Sequence, residues 1–248
     1  MLFTDIYAFE DSKKIGFFNP VLVKDTKLFI DPFLIFKFDN PFFKGAHDKL
    51  IGFFNEAFKL ASKSGNNHNS LSYKKLSNML LFPEVEELCL GFSNESTRGS
   101  GSGYGYRESM IKAIYTSIKL GITKYDHFEE IGIFDEGIGC DRISDITANI
   151  LKKNIIEYTQ HICNEYNLPM EKKHLRHVDF DFNRLRWESD NIDLPINPFN
   201  KKAVLLVPEK FLRELPVISP DEFWDFLWDN KKIVSSIVRK LPSGTTES

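Results

Sequence analysis

Apolar positions alternate at the start of the chain and then change to a helical spacing. Residues 2–9, 16–23 and 27–35 are short stretches rich in aromatic and branched side chains, separated by charged or turn-forming residues. This pattern predicts three strands, the last two joined as a hairpin through Lys24, Asp25 and Thr26. Pro32 confines the third to a sheet edge or ends it near Ile30 and Asp31. Over residues 46–64, Leu50, Phe53, Phe54, Ala57, Phe58 and Ala61 share one face and predict a helix. A second helix is expected over 70–81, stopped by Pro83. A third is expected over 107–120, with Gly121 as its C-terminal cap.

Residues 84–92 fit either helix or strand, and 125–131 fit a short helical turn. The longest helix is expected over 141–166, ended by Leu168 and Pro169. Residues 177–182 and 184–187 alternate as strands, 203–207 form a compact branched strand before Pro208, and a last helix is expected over 220–240. The resulting fold class is α+β, with N-terminal strands, a helical middle and a C-terminal strand-helix layer. The pattern contains no internal repeat or long linker, which predicts one domain over residues 1–241 and a flexible tail at 242–248.

Composition changes this picture little. A chain of 248 residues that is 42% hydrophobic and 27% charged belongs with globular proteins rather than disordered ones. Its 23 phenylalanines, often paired as in Phe17-Phe18, Phe42-Phe43 and Phe53-Phe54, predict a core filled by large rings. A net charge of −3 gives no global drive toward nucleic acid or anionic lipid, so any such contact has to be local. Cys89, Cys140 and Cys163 are far apart and in no metal spacing, as expected of reduced, buried thiols in a cytoplasmic protein. The start of the chain lacks the basic region of a signal peptide, and no apolar run approaches the roughly 18 residues of a spanning helix. No membrane partner is expected.

Candidate chemistry centres on an acidic stretch. Asp135, Glu136, Asp141 and Asp145 surround the glycines at 137 and 139, and Asp141 and Asp145 share a helix face that Asn149 continues. Clustered hard oxygen ligands suit Mg²⁺ or Mn²⁺, the ions of phosphoryl-transfer and nuclease chemistry. The bland alternative is a capped helix start, where carboxylates are favoured by the helix dipole. His177, Asp179 and Asp181 alternate on one expected strand face about 7 Å apart, as an acid-base or metal set does, and as any half-wet strand does. Asp31 ends an apolar strand in Leu28-Phe29-Ile30-Asp31-Pro32, a placement used by metal-dependent nucleases, although the accompanying Glu-x-Lys is missing.

Two further stretches carry possible anion contacts. The loop from Arg98 through Gly101, Gly103 and Gly105 leads into a helix bearing Arg107; exposed backbone N–H groups there fit a phosphate, and a mobile connector fits equally. Its spacing is neither a Walker loop nor the dinucleotide fingerprint. Lys172, Lys173, His174 and Arg176, followed by Arg184 and Arg186 beside Trp187, form a basic patch suited to a nucleic-acid backbone, or to a solvated surface over a core ring. The glycine run Gly99-Ser100-Gly101-Ser102-Gly103 does not follow an apolar strand as a nucleophile elbow does, and paired zinc ligands are absent from the sequence, which argues against serine-hydrolase and zinc chemistry.

The segments Phe29-Ile30-Asp31-Pro32, Phe82-Pro83-Glu84 with Leu90-Gly91-Phe92-Ser93, the 99–105 loop, Glu136 through Asp145, and Leu205-Leu206-Val207-Pro208 together resemble a group of uncharacterised bacterial proteins associated with mobile or defence loci. The resemblance implies no activity. The expectation is a metal-dependent nucleic-acid-processing protein, a nuclease component of a bacterial anti-phage defence system. Asp31, Asp141 and Asp145 would hold the ion, Glu136 or His177 would handle water, and Lys172, Lys173 and Arg176 would grip the backbone. The alternative is a non-catalytic subunit or sensor that docks a protein partner through Phe223, Trp224, Phe226 and Trp228, or a nucleotide through the glycine loop.

Overall fold

The computed structural model describes residues 1–7, 9, 15–91, 103–122, 124 and 140–214, with the backbone alone at 103–105 and 140. Met1–Pro216 form one compact unit. The turn expected at 125–131, the helix expected at 220–240 and the tail at 242–248 lie outside the described residues.

The architecture is α+β: helices through the middle and small antiparallel pairs of strands toward both ends. The elements in order are α1 (Phe3–Ile6), β1 (Phe29–Ile30), α2 (Pro32–Lys37), α3 (Ala46–Ser64), α4 (Leu71–Met79), α5 (Gly103–Lys119), α6 (Cys140–Ile150), α7 (Lys152–Glu165), β2 (Glu171–Asp181), β3 (Arg186–Leu194) and β4 (Leu212–Arg213). β1 pairs with β4, and β2 with β3.

Helices follow the apolar spacing closely. α3 has the predicted bounds and buries Leu50, Phe53, Phe54, Ala57, Phe58 and Ala61. Ser70 caps α4, its side chain accepting from the Tyr73 N–H. Gly121, at φ +79°, closes the end of α5, and its left-handed backbone is why a glycine stands there.

Strands differ more, and local capping explains two of the differences. Residues 2–9 were expected to be a strand, but Asp5 Oδ2 accepts the Leu2 N–H at 2.8 Å and turns the chain into α1. Residues 16–23 make only isolated bridges, Leu2 to Val21 and Phe17 to Pro208. The third expected strand ends at Ile30, since Asp31 caps α2 and Pro32 takes its first turn. Residues 203–207 are buried and form no ladder: the amides of Val204, Leu205 and Leu206 donate to Pro195 O, Glu87 O and Thr159 Oγ1 respectively. The helix expected over 141–166 is broken at Leu151, whose φ −98° and ψ 12° separate α6 from α7.

Phenylalanine fills the core as its abundance predicted. Phe3, Phe17, Phe29, Phe53, Phe54, Phe58 and Phe211 are all fully buried. Phe53 packs its ring 4.8 Å from that of Phe180, 5.5 Å from Phe82 and 5.6 Å from Trp187, in tilted or edge-on geometries that suit aromatic quadrupoles. This cluster clamps α3 to the β2–β3 hairpin, and Trp187 Nε1 donates to Met79 O at 3.0 Å to fix α4 as well. Cys89 and Cys163 are free and buried.

Candidate functional site

The helical repeat of α6 and α7 sets four polar side chains along one flank. Asp141, Asp145 and Asn149 are four residues apart, and Lys152 follows three later. Backbone bonds from Leu151 N to Thr147 O and from Ile155 N to Leu151 O carry the helical path across the break. Opposite lies the stretch from Pro83 to Gly91, which coils through a short 3-10 helix at Glu86–Leu88. Asn149 Nδ2 donates to Pro83 O at 2.7 Å and to Asp145 O at 2.8 Å, and Lys152 Nζ lies 3.3 Å from both Glu87 Oε1 and Arg176 O. Gly91 stands against Asp141: a Cβ there would come 3.6 Å from Asp141 Oδ1, and its φ of +128° favours glycine in any case.

Electrostatics sharpen this seam. Burial, then the charge of Asp141, push the Asp145 carboxyl up to about 8; Arg142 opposes the shift and Glu84 adds to it. The opposition is insufficient although Arg142 Nη1 sits 3.1 Å from Asp145 Oδ2. Glu84, at the rim, is raised as well, first by desolvation and then by Asp25 and Asp141. Like charges in a partly dry site favour a proton or another cation among them. One turn on, the Asn149 side chain is fully buried and its Oδ1 has no partner among the described residues. Buried polar groups are ordinarily satisfied, so a seam with such an atom is unusual for a purely structural contact.

His177 closes the far end. Two extra residues of β2 bulge between Leu175 and Asp179, which face Asp190 and Glu188 on β3, and His177 takes a left-handed φ of +53° within that bulge. Its ring stacks on Trp187 at 4.8 Å between centroids and 3° between planes, with Nδ1 buried and unpartnered among the described residues. Burial, then Lys152 and Arg176, lower its pKa to about 4. The His177 ring is therefore expected to titrate in NMR near pH 4, well below the ordinary value of about 6.5. A midpoint at the ordinary value would contradict the buried stack.

The other predicted site residues are distributed as follows. Asp31 is buried; its Oδ1 caps α2 through Phe33 N at 2.9 Å, and its Oδ2 meets Arg213 Nε at 3.0 Å. Asp179 lies in an ion pair with Lys49 at 2.8 Å and with Lys153 at 3.3 Å. Burial works against ionisation of Asp179, but these lysines and the Phe180 N–H outweigh it and hold the carboxyl below the usual range. Asp181 accepts from the Asn183 and Arg184 N–H groups in the hairpin turn. The face expected to present His177, Asp179 and Asp181 together is thus divided among three separate environments. Lys172 and Arg176 are exposed on β2, Lys173 lies 3.5 Å from Glu171, and Asp193 and Asp190 stand across the ladder from Lys172 and Leu175. The patch is mixed in sign rather than uniformly basic. Gly103 opens α5, and Arg107 pairs with Glu108 at 3.0 Å. Glu136, Arg98 and Gly101 lie outside the described residues, as do Phe223, Trp224, Phe226 and Trp228.

Sequence reading brought out Asp141, Asp145 and His177 but missed Glu84, Glu87 and Lys152. The missed signal was helical: Lys152 continues the Asp145 face by seven residues, past a break that no proline or glycine marks. No described helix is long and apolar enough to cross a membrane. A protein-family model described as a domain of unknown function (DUF8370) matches residues 9–219. No curated protein and no solved structure matches the chain.

Proposed function

Because the chain belongs to the DUF8370 family, which names no activity, its chemistry has to be read from its own side chains, and we propose that it is a metal-dependent nucleic-acid-processing protein acting at the α6 carboxylates. The observation that supports this is Asp145, a carboxyl pushed up to about 8 beside Asp141 and Glu84 although Arg142 opposes the shift, while Glu84 is raised against both Arg142 and Lys202. Such a cluster is short of positive charge, and a hard divalent ion supplies it.

The residues fit one kind of ion site and not another. Among the described residues no three His, Cys, Asp or Glu side chains converge to cage a metal. Mg²⁺ is commonly held by one or two carboxylates with water and substrate phosphates completing its shell. Asp141 and Asp145, one turn apart, fit that arrangement, with the nucleic acid itself supplying the remaining oxygens. A bound ion neutralises phosphate charge and makes its water more acidic. Glu84, raised as well and outside that pair, exchanges a proton nearer neutrality than an ordinary carboxylate does. Exposed Lys172 and Arg176 offer the backbone local positive charge. A defence locus is the setting that the sequence resemblance implies for a nuclease of this kind.

The test is cleavage of labelled single- and double-stranded DNA and RNA by the full chain with Mn²⁺, beside an Asp141→Ala variant. The expected result is cleavage by the wild type that falls at least about a hundredfold in the variant. Absence of cleavage across all four substrates, or an unimpaired variant, would overturn the assignment.

A further inference from the structure

Arg142 is held between two elements. Its Nη1 donates to Asp145 Oδ2 at 3.1 Å, while its Cζ lies 3.2 Å from the centre of the Tyr106 ring on α5. A guanidinium has five N–H donors in a rigid plane. Among the described residues this one makes a single hydrogen bond, and its side chain is 19% exposed. An arginine whose purpose is to satisfy a carboxylate commonly meets it with two parallel bonds. Here the contact is one-pronged: the guanidinium carbon sits over the tyrosine ring, and the remaining donors are not spent on Asp145.

The local charge makes those donors useful. Glu84 lies in the fields of Asp25 and Asp141, and Asp145 in those of Asp141 and Glu84, so an anion approaching these carboxylates meets repulsion that Arg142 and, at Glu84, Lys202 oppose. A partly exposed cation held beside Asp145 offsets that repulsion where a phosphate would need to rest. Lysine offers no planar fork, whereas arginine matches two phosphate oxygens at once.

We infer that Arg142, pre-set on Tyr106, holds the substrate phosphodiester by a forked contact and so seats it against the α6 carboxylates. This rests on the functional reading above and adds to it the residue that recognises phosphate. The stack on Tyr106 also gives α5, the helix that follows the glycine-rich loop, a part in shaping the site.

The experiment is fluorescence anisotropy of a labelled, mixed-sequence single-stranded oligodeoxynucleotide, with the full chain and Ca²⁺, over a range of salt concentrations. Arg142→Ala is expected to bind about tenfold more weakly, and its slope of log K against log salt should fall by about 0.7, the loss of one phosphate contact. Arg142→Lys should retain the slope and recover only part of the affinity, since it keeps the charge and loses the fork. Tyr106→Leu, which leaves Arg142 in place without its ring, should fall between. Wild-type affinity and slope in Arg142→Ala would overturn the inference alone and leave Arg142 as a counter-ion of Asp145. Should that variant melt early, Arg142→Lys decides: wild-type affinity there overturns the forked contact. A wild-type protein that binds no oligonucleotide overturns the functional reading and the inference with it.

Discussion

Asp145→Asn is expected to stabilise the metal-free protein at alkaline pH while removing Mn²⁺-dependent cleavage. Burial and the charge of Asp141, with Glu84 behind them, raise the Asp145 carboxyl to about 8 against Arg142. The unfolded chain returns it to about 3.9. Because the folded value is the higher one, the stability tied to its proton is fully present below about pH 4. That stability is lost as pH rises through about 8. Each unit of difference corresponds to about 1.4 kcal/mol, which sets an upper bound of roughly 5–6 kcal/mol. The side chain remains 18% exposed and has Arg142 beside it, so about 2–4 kcal/mol is the working expectation.

An asparagine escapes that loss. Thermal melts at about pH 5 and about pH 9 check it: the variant should melt roughly 5–12 °C above wild type at the higher pH, and much closer to it at the lower one. A gap independent of pH would contradict the electrostatic account. Stability gained where activity disappears is the expected mark of a residue kept for function.

Phe53→Ala is expected to be the most damaging single change in the core. Phe53 is fully buried, and its ring meets Phe54, Phe82, Phe180 and Trp187. Removing it takes packing from α3, the 80–85 stretch and the β2–β3 hairpin at once. Substitutions of this kind cost about 3–5 kcal/mol, from lost transfer free energy and the cavity that remains. Urea unfolding should show the midpoint fall with the slope retained, since the surface exposed on unfolding is unchanged. A loss below about 1 kcal/mol would mean that the cluster closes over the gap. His177 stacks on Trp187, so a shift of its NMR resonances in this variant would carry the core change to the site.

The helices were legible because their signals are dense and local. α3 carries an apolar side chain at nearly every inward position, and Ser70 and Gly121 punctuate α4 and α5 by chemistry that depends only on neighbouring residues. The strands were less so. Residues 2–9 and 203–207 are apolar enough to read as strands, yet whether such a stretch joins a ladder depends on what lies beside it. Asp5 diverted the first into α1, while Thr159, Glu87 and Pro195 took the amides of the second. The break at Leu151 was also hidden, because no helix-breaking residue marks it.

The site was legible only along one helix. Asp141 and Asp145 declare themselves by their spacing of four, whereas Glu84 comes from more than fifty residues earlier, in a stretch with no clear period. The orphaned Asn149 Oδ1 and the stack of His177 on Trp187 arise from tertiary packing. Asp31 shows the reverse limit. An acidic residue at the end of an apolar strand reads equally as a metal ligand or as a helix cap, and here its oxygens meet Phe33 N and Arg213.

The central claim is that the α6 carboxylates take a divalent ion, and calorimetric titration of Mn²⁺ into the 248-residue chain tests it most directly. Wild type should bind with a measurable heat at about pH 7.5, and an Asp141→Ala, Asp145→Ala double variant that still melts cooperatively should not. The same titration should weaken toward about pH 6, as the raised carboxyls hold their protons against the metal. Because the proposed shell includes substrate oxygens, both proteins are titrated again with a phosphorothioate oligonucleotide present. Binding by the double variant equal to wild type, or none by wild type even with the oligonucleotide, would contradict the account.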